Sequence, residues 1–213
     1  MTTPGFLATW RRGRVVDEAA ARRGMVAAAN APSGFAYDGR LMTPKEFLAY
    51  VRGTDVAWAT RGATMHHTYS PNEALWRKWN GWAYWGPQMA RYYHDTRGWD
   101  VGPHAFISYE GIGLFTPLHK RGIHAGAEAN RTTVGMEIVG DFMTALPEGA
   151  TLDNATWAFA AVLWRLGKDA ASLYPHRYWM ATQCPGDALY RDFRWFRCLV
   201  DARIEAIARG DAP

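Results

Sequence analysis

A chain of 213 residues suffices for one large domain, or one domain with a small attachment, and its 48% hydrophobic content is ample for a packed core. Lysine and arginine (24) outnumber acidic residues (20), giving a formal charge of +4 that serves solubility and equally draws an anionic partner. Two cysteines cannot build a disulfide framework, and no stretch approaches the ~18 consecutive apolar residues of a membrane-spanning helix.

Residues 1–40 read as a partly helical N-terminal extension, because "DEAAARRGMVAAANAPSG" starts helix-like and ends in turn residues without an apolar stripe. Arg11-Arg12 is not an export signal, since Val15-Val16 runs straight into Asp17-Glu18; synthesis in the cytoplasm without a signal peptide is expected. A single domain over 41–213 follows. In "MTPKEFLAYV", Thr43 suits an N-cap, Pro44 the first helical position, and Glu46 completes a capping box.

"GATMHHT" (62–68) predicts a short strand ending in paired histidines, and 72–96 predicts Trp- and Tyr-rich helical segments interrupted near Gly86-Pro87. "PHAFISYEGIGLFTPL" (103–118) alternates around Glu110-Gly111 as a β-hairpin does, and "TTVGMEIVG" (132–140) is another β-rich run. A helix is expected from Asp153 to about Ser172, with Trp157, Ala161 and Trp164 on one face. In the last helix, Leu189, Phe193, Phe196, Val200, Ile204 and Ile207 form one buried stripe, with Arg191, Arg194 and Arg203 elsewhere around it. Alternating strands and helices predict an α/β domain with a central mixed sheet flanked by helices.

Seven histidines are candidates for chemistry. His94 and His119 have polar, loop-like neighbours and read as surface residues. His66 and His67 end a strand, where a side chain can project into a cleft. His176 and Cys184 lie close enough in the chain to return to one point, and imidazole with thiolate suits zinc. Glu137 alternates with Met136 and Ile138, so it faces away from them; a carboxylate in apolar company needs a partner or a task.

Four blocks, "MHHTYSP" (65–71), "GWDVGPHAFISYEGIGLFTPL" (98–118), "GIHAGAEANRTTVGMEIVGDF" (122–142) and "HRYWMATQCPGDAL" (176–189), occur in one order. Together they resemble the zinc-dependent N-acetylmuramoyl-L-alanine amidases that share a fold with peptidoglycan recognition proteins, and phage endolysins among them most. The resemblance covers about residues 41–196. It implies that Zn2+ is held by His66, His176 and Cys184, and that Glu137 is the catalytic acid–base with Thr182 beside the developing oxyanion. It further implies that His124, Asn130 and His67 meet the substrate, His67 alternatively packing behind the metal, and that His104 is structural. Two positions depart from the pattern. Pro103 stands where many relatives carry a tyrosine, with Tyr69 or Tyr178 as replacements, and Thr182 stands where many carry a lysine.

The activity so implied is cleavage of the amide between N-acetylmuramic acid and L-alanine in bacterial peptidoglycan. An endolysin would reach that wall once the membrane is permeabilised. A non-catalytic peptidoglycan-binding module and a cytoplasmic muropeptide-recycling amidase are the alternatives; the first typically lacks the ligand cysteine. No nucleic-acid motif accompanies the arginines, so nucleic acid is not an expected partner. The positive charge is expected to favour contact with an anionic envelope.

Overall fold

The computed structural model describes residues 31–211 and 213; the helical reading of residues 17–30 lies outside them. Six strands form one mixed sheet in the order β1-β4-β3-β5-β2-β6. They are β1 (Leu41–Met42), β2 (Gly62–His67), β3 (Ala105–Ser108), β4 (Gly111–Leu114), β5 (Thr133–Ile138) and β6 (Leu173–Pro175). The predicted hairpin is β3–β4, antiparallel with Ser108 opposite Gly111, while β5 runs parallel to both β3 and β2, and β6 parallel to β2. The expected mixed α/β architecture is the observed one.

Helix α1 (Pro44–Gly53) starts as its sequence demands. Thr43 Oγ1 accepts the Glu46 N–H, and the Glu46 carboxylate accepts the Thr43 N–H at 2.8 Å, which satisfies two otherwise orphaned donors. Helix α2 (Glu73–Lys78) is capped by Asn72. Helix α3 (Gly81–Arg91) runs through Gly86-Pro87 instead of breaking there. Gly86 lacks the Cβ that usually keeps a residue before proline out of the helical region. A Cβ there would also lie 2.3 Å from the Tyr37 hydroxyl. Trp82, Trp85, Met89 and Ala90 bury this helix in an aromatic cluster with Phe106 and Phe115, and that packing overrides the local breaker signal.

The other sheet face packs on α1 and on α5 (Gly149–Arg165), and α7 (Phe193–Arg209) packs in turn on α5. Helix α5 begins and ends earlier than the Asp153–Ser172 expectation. Gly167, at φ +66°, closes it, with the Lys168 N–H donating to the Leu163 carbonyl at 2.9 Å. The chain then turns into β6, which no local pattern announced. The terminal stripe is buried as predicted except for the partly buried Ile204, but it spans two helices, α6 (Asp187–Arg191) and α7, parted at Asp192. A short helix α4 (Gly126–Thr132) precedes β5. Residues 35–39 hydrogen-bond to Asp100, Leu114 and Phe115, and so lie against the domain. Among the described residues, no helix is long and apolar enough to cross a membrane.

Candidate functional site

Strands β2 and β5 lie side by side in register, and their C-terminal ends open on the face opposite the aliphatic core. Met65, Met136 and Ile138 point into that core, so His66 and Glu137 must emerge on the other side. His66 is 2% exposed and Glu137 13% exposed. After β6, a single helical turn at His176–Tyr178 delivers His176, and the loop that follows brings back Cys184.

These three side chains converge. His66 Nδ1 stands 3.0 Å from His176 Nδ1 and 3.8 Å from Cys184 Sγ, and the three donor atoms lie within 4.8 Å of one another. Glu137 Oε1 is 4.0 Å from His66 Nδ1. The backbone N–H of His67 donates to Cys184 Sγ at 3.3 Å, which fixes the sulfur at the strand end.

A chain of hydrogen bonds sets the tautomer of His66. His124 Nε2 faces the Thr133 carbonyl at 3.2 Å, an acceptor only, so this nitrogen carries the hydrogen. His124 Nδ1 is therefore the acceptor for His66 Nε2, 3.1 Å away. That leaves His66 Nδ1 with its lone pair turned towards His176 and Cys184. The arrangement needs a bare backbone beneath His124: a Cβ at Gly135 would come within 2.2 Å of the imidazole. Asn130 Oδ1 accepts the N–H groups of His124 and Ala125 at 2.8 and 3.0 Å, so its oxygen is occupied in shaping this turn.

Burial dominates the electrostatics. It pushes the Glu137 carboxyl up to about 8 and His176 and His67 down to about 4. His124 falls to about 3, through burial first and then the neighbouring His104. His66 lies well below its ordinary value, through burial and then His176 and His124. Burial, followed by the Glu137 charge, raises the Cys184 thiol. The imidazoles are thus held neutral, the state in which a ring nitrogen can donate a lone pair to a cation.

The other predicted residues are placed as follows. His67 is buried, and its Nδ1 accepts the Phe142 N–H at 3.2 Å. Thr182 is exposed, and its hydroxyl accepts the Cys184 N–H at 3.2 Å. His104 is fully buried, donates from Nε2 to the Lys120 carbonyl at 3.0 Å, accepts the Gly135 N–H at Nδ1 and stacks on Trp58. Tyr69 and Tyr178 are both exposed, and the Tyr178 hydroxyl is held by Arg61 at 3.2 Å. Cys198 is an exposed free thiol on α7.

A cavity of about 230 Å³ opens beside Glu137, walled by His67, Tyr93, Arg97, Trp99 and Phe106. Tyr93, Arg97 and Trp99 were not singled out from the sequence. They belong to the aromatic stretch around α3 and the turn after it, where periodicity marks a helix but not which aromatics leave the core.

Comparison with known proteins places the chain in a family. Residues 56–187 match the family described as N-acetylmuramoyl-L-alanine amidase, more than half of the chain. A human N-acetylmuramoyl-L-alanine amidase is 35% identical over 135 residues, 59% of this chain and 22% of that protein. Peptidoglycan-recognition protein 1 of Holotrichia diomphalia is 29% identical over 138 residues, covering 61% and 66% of the two chains. The chain spans 22–25% of the length of the mammalian relatives it matches. Among solved structures, the amidase LysC from Clostridium intestinale URNW superposes with a TM-score of 0.54 at 20% identity, over 68% of this chain and 87% of that one. A Drosophila PGRP-LB mutant in complex with tracheal cytotoxin gives 0.54 at 24% identity, over 74% and 95%. These two likenesses concern the fold. The motif order and the extent of the family match together make this chain a member of the N-acetylmuramoyl-L-alanine amidase family.

Proposed function

We propose that the protein is a zinc-dependent peptidoglycan hydrolase that cuts the amide joining N-acetylmuramic acid to L-alanine. Its working setting is the bacterial wall, reached as an endolysin reaches it once the membrane is permeabilised. The observation that carries this reading is the meeting of His66 Nδ1, His176 Nδ1 and Cys184 Sγ, with the first lone pair aimed at the other two donors.

The donor set fits zinc. Tetrahedral zinc, with Zn–N about 2.0–2.1 Å and Zn–S about 2.3 Å, sets its donors roughly 3.3–3.6 Å apart. The separations of 3.0 and 3.8 Å from His66 Nδ1 straddle that range. Two imidazoles and a thiolate are also the borderline-soft ligands this ion prefers, and three of them leave one position open for chemistry. A zinc ion held there supplies Lewis-acid polarisation of the amide carbonyl and acidifies water to a pKa of about 7.

The chain's own groups do the rest. Glu137 is the proton carrier: its carboxylate reaches the site from the neighbouring strand, with Oε1 4.0 Å from His66 Nδ1, where a group can take a proton and return it. It accepts the proton of the attacking water and delivers it to the departing alanine nitrogen. Thr182 accepts the Cys184 N–H, so its own hydroxyl hydrogen is free to point at the developing oxyanion. The cavity beside Glu137 receives the part of the substrate flanking the scissile bond. His124 holds His66 in its ligand tautomer, and His67 closes the site from behind.

Mass analysis of digested peptidoglycan tests the reading. Release of peptides with free L-alanine amino ends and intact glycan strands is expected; cleavage of glycosidic or peptide bonds, or no cleavage by zinc-loaded protein, overturns it.

A further inference from the structure

Residues 179–186 return the chain from His176 to Cys184 without helix or strand, and residues 180–183 are exposed. Such a loop has no ladder of its own to hold the sulfur in place. Cys184 is nevertheless set against His66, and part of the cause lies one residue after His176. The Arg177 side chain folds back across the loop and is only 18% exposed. Its Nη2 donates to the Gln183 carbonyl, and its Nε donates to the Cys184 carbonyl at 3.4 Å. Nη2 also meets the Asp187 carboxylate at 3.0 Å, and the guanidinium lies 4.2 Å from the Tyr190 ring centre. One planar cation thus ties together successive carbonyls around the cysteine and the first turn of α6.

We propose that Arg177 is a positioning residue that holds Cys184 in coordinating register with His66 and His176, and so sets the metal affinity of the site. The proposal rests on the zinc reading above. Groups that orient metal ligands typically carry ~10–100-fold of affinity, although they never touch the ion. The fork geometry is the operative feature. A lysine ammonium keeps the charge but cannot span two carbonyls and a carboxylate in one plane.

The test uses the full chain with Arg177→Ala and Arg177→Lys. Zinc affinity is measured by competition with a chelator, and the thiolate-to-cobalt charge-transfer band is recorded after Co2+ substitution. Both variants are expected to bind zinc ~10–100-fold more weakly and to show a weakened thiolate band. A merely structural arginine would lower the unfolding temperature and leave the band intact. Folded variants with wild-type affinity and wild-type band overturn the proposal. Should Arg177→Ala fail to fold, Arg177→Lys decides by the same two readouts. Absence of zinc binding by the wild type overturns the parent reading and this one with it, whereas normal wild-type binding with unaltered variants overturns this one alone.

Discussion

His66 and Glu137 are direct partners across the parallel β2–β5 ladder, and their side chains leave the sheet on the same face with Nδ1 and Oε1 4.0 Å apart. A strand register therefore decides how far the acid–base group stands from the metal ligands. Glu137→Gln preserves shape and neighbours while removing the proton carrier. Turnover is expected to fall by ~10²–10⁴ with zinc content unchanged. Wild-type turnover in that variant would place the proton shuttle elsewhere.

Removal of the metal gives a second expectation. A strong chelator should abolish wall lysis, and added zinc should restore it. Cys184→Ser replaces a thiolate by a poor zinc ligand and should lower the bound zinc per chain, measured by elemental analysis. An unchanged stoichiometry would remove Cys184 from the ligand set.

His124 provides a sharper test of the hydrogen-bond chain. His124→Ala leaves His66 Nε2 without its acceptor and is expected to weaken zinc binding by ~10–100-fold. His124→Gln can still donate to the Thr133 carbonyl and accept from His66, so it should recover part of the loss. Gly135→Ala should mimic the alanine variant, since the added methyl occupies the space of the imidazole. Equal affinities across the three variants would contradict the tautomer argument.

His104 is one of the buried histidines that link stability to acid pH; burial holds it down to about 4 against 6.5 in the unfolded chain. Below 6.5 the unfolded chain takes up a proton that the folded one refuses, so stability is lost as pH falls from about 6.5 towards 4 and is complete above that window. The difference corresponds to about 3 kcal/mol. Urea unfolding of His104→Gln should show a shallower decline over the same range. An identical slope would show that His104 does not carry this dependence.

Charge offers a fifth expectation. With a formal charge of +4, activity on whole anionic walls should fall as salt is added, while activity on a small soluble muramyl peptide should not. Parallel salt responses on both substrates would argue against envelope attraction.

The capping box at Thr43, the hairpin around Glu110 and the outward turn of Glu137 were all legible in the chain, because each depends on neighbours within a few residues. Gly86-Pro87 misled for the same reason: the local breaker signal is real, but Trp82, Trp85 and Met89 packing on the sheet outweighs it. The end of α5 carries a local sign, Gly167 at the left-handed φ that closes the helix, whereas the short strand β6 carries none because it draws its ladder from β2, more than a hundred residues earlier. For the site, motif likeness named His66, His176 and Cys184 together, whereas the residues alone offered two separate pairs, His66 with His67 at a strand end and His176 with Cys184.

By itself, then, the sequence determined the longer strands and helices, though not every boundary, which face of β5 carries a carboxyl, and which residue types could bind a cation. Tertiary structure alone decided that His66 presents Nδ1 to the other two donors, that His124 and Thr133 fix its proton, that Tyr93, Arg97 and Trp99 wall the cavity, and that Arg177 braces the cysteine loop. The physical reason is range. Periodicity records the burial of a side chain relative to its own backbone, while donor geometry depends on the register between strands and on loops that meet only after the sheet has closed.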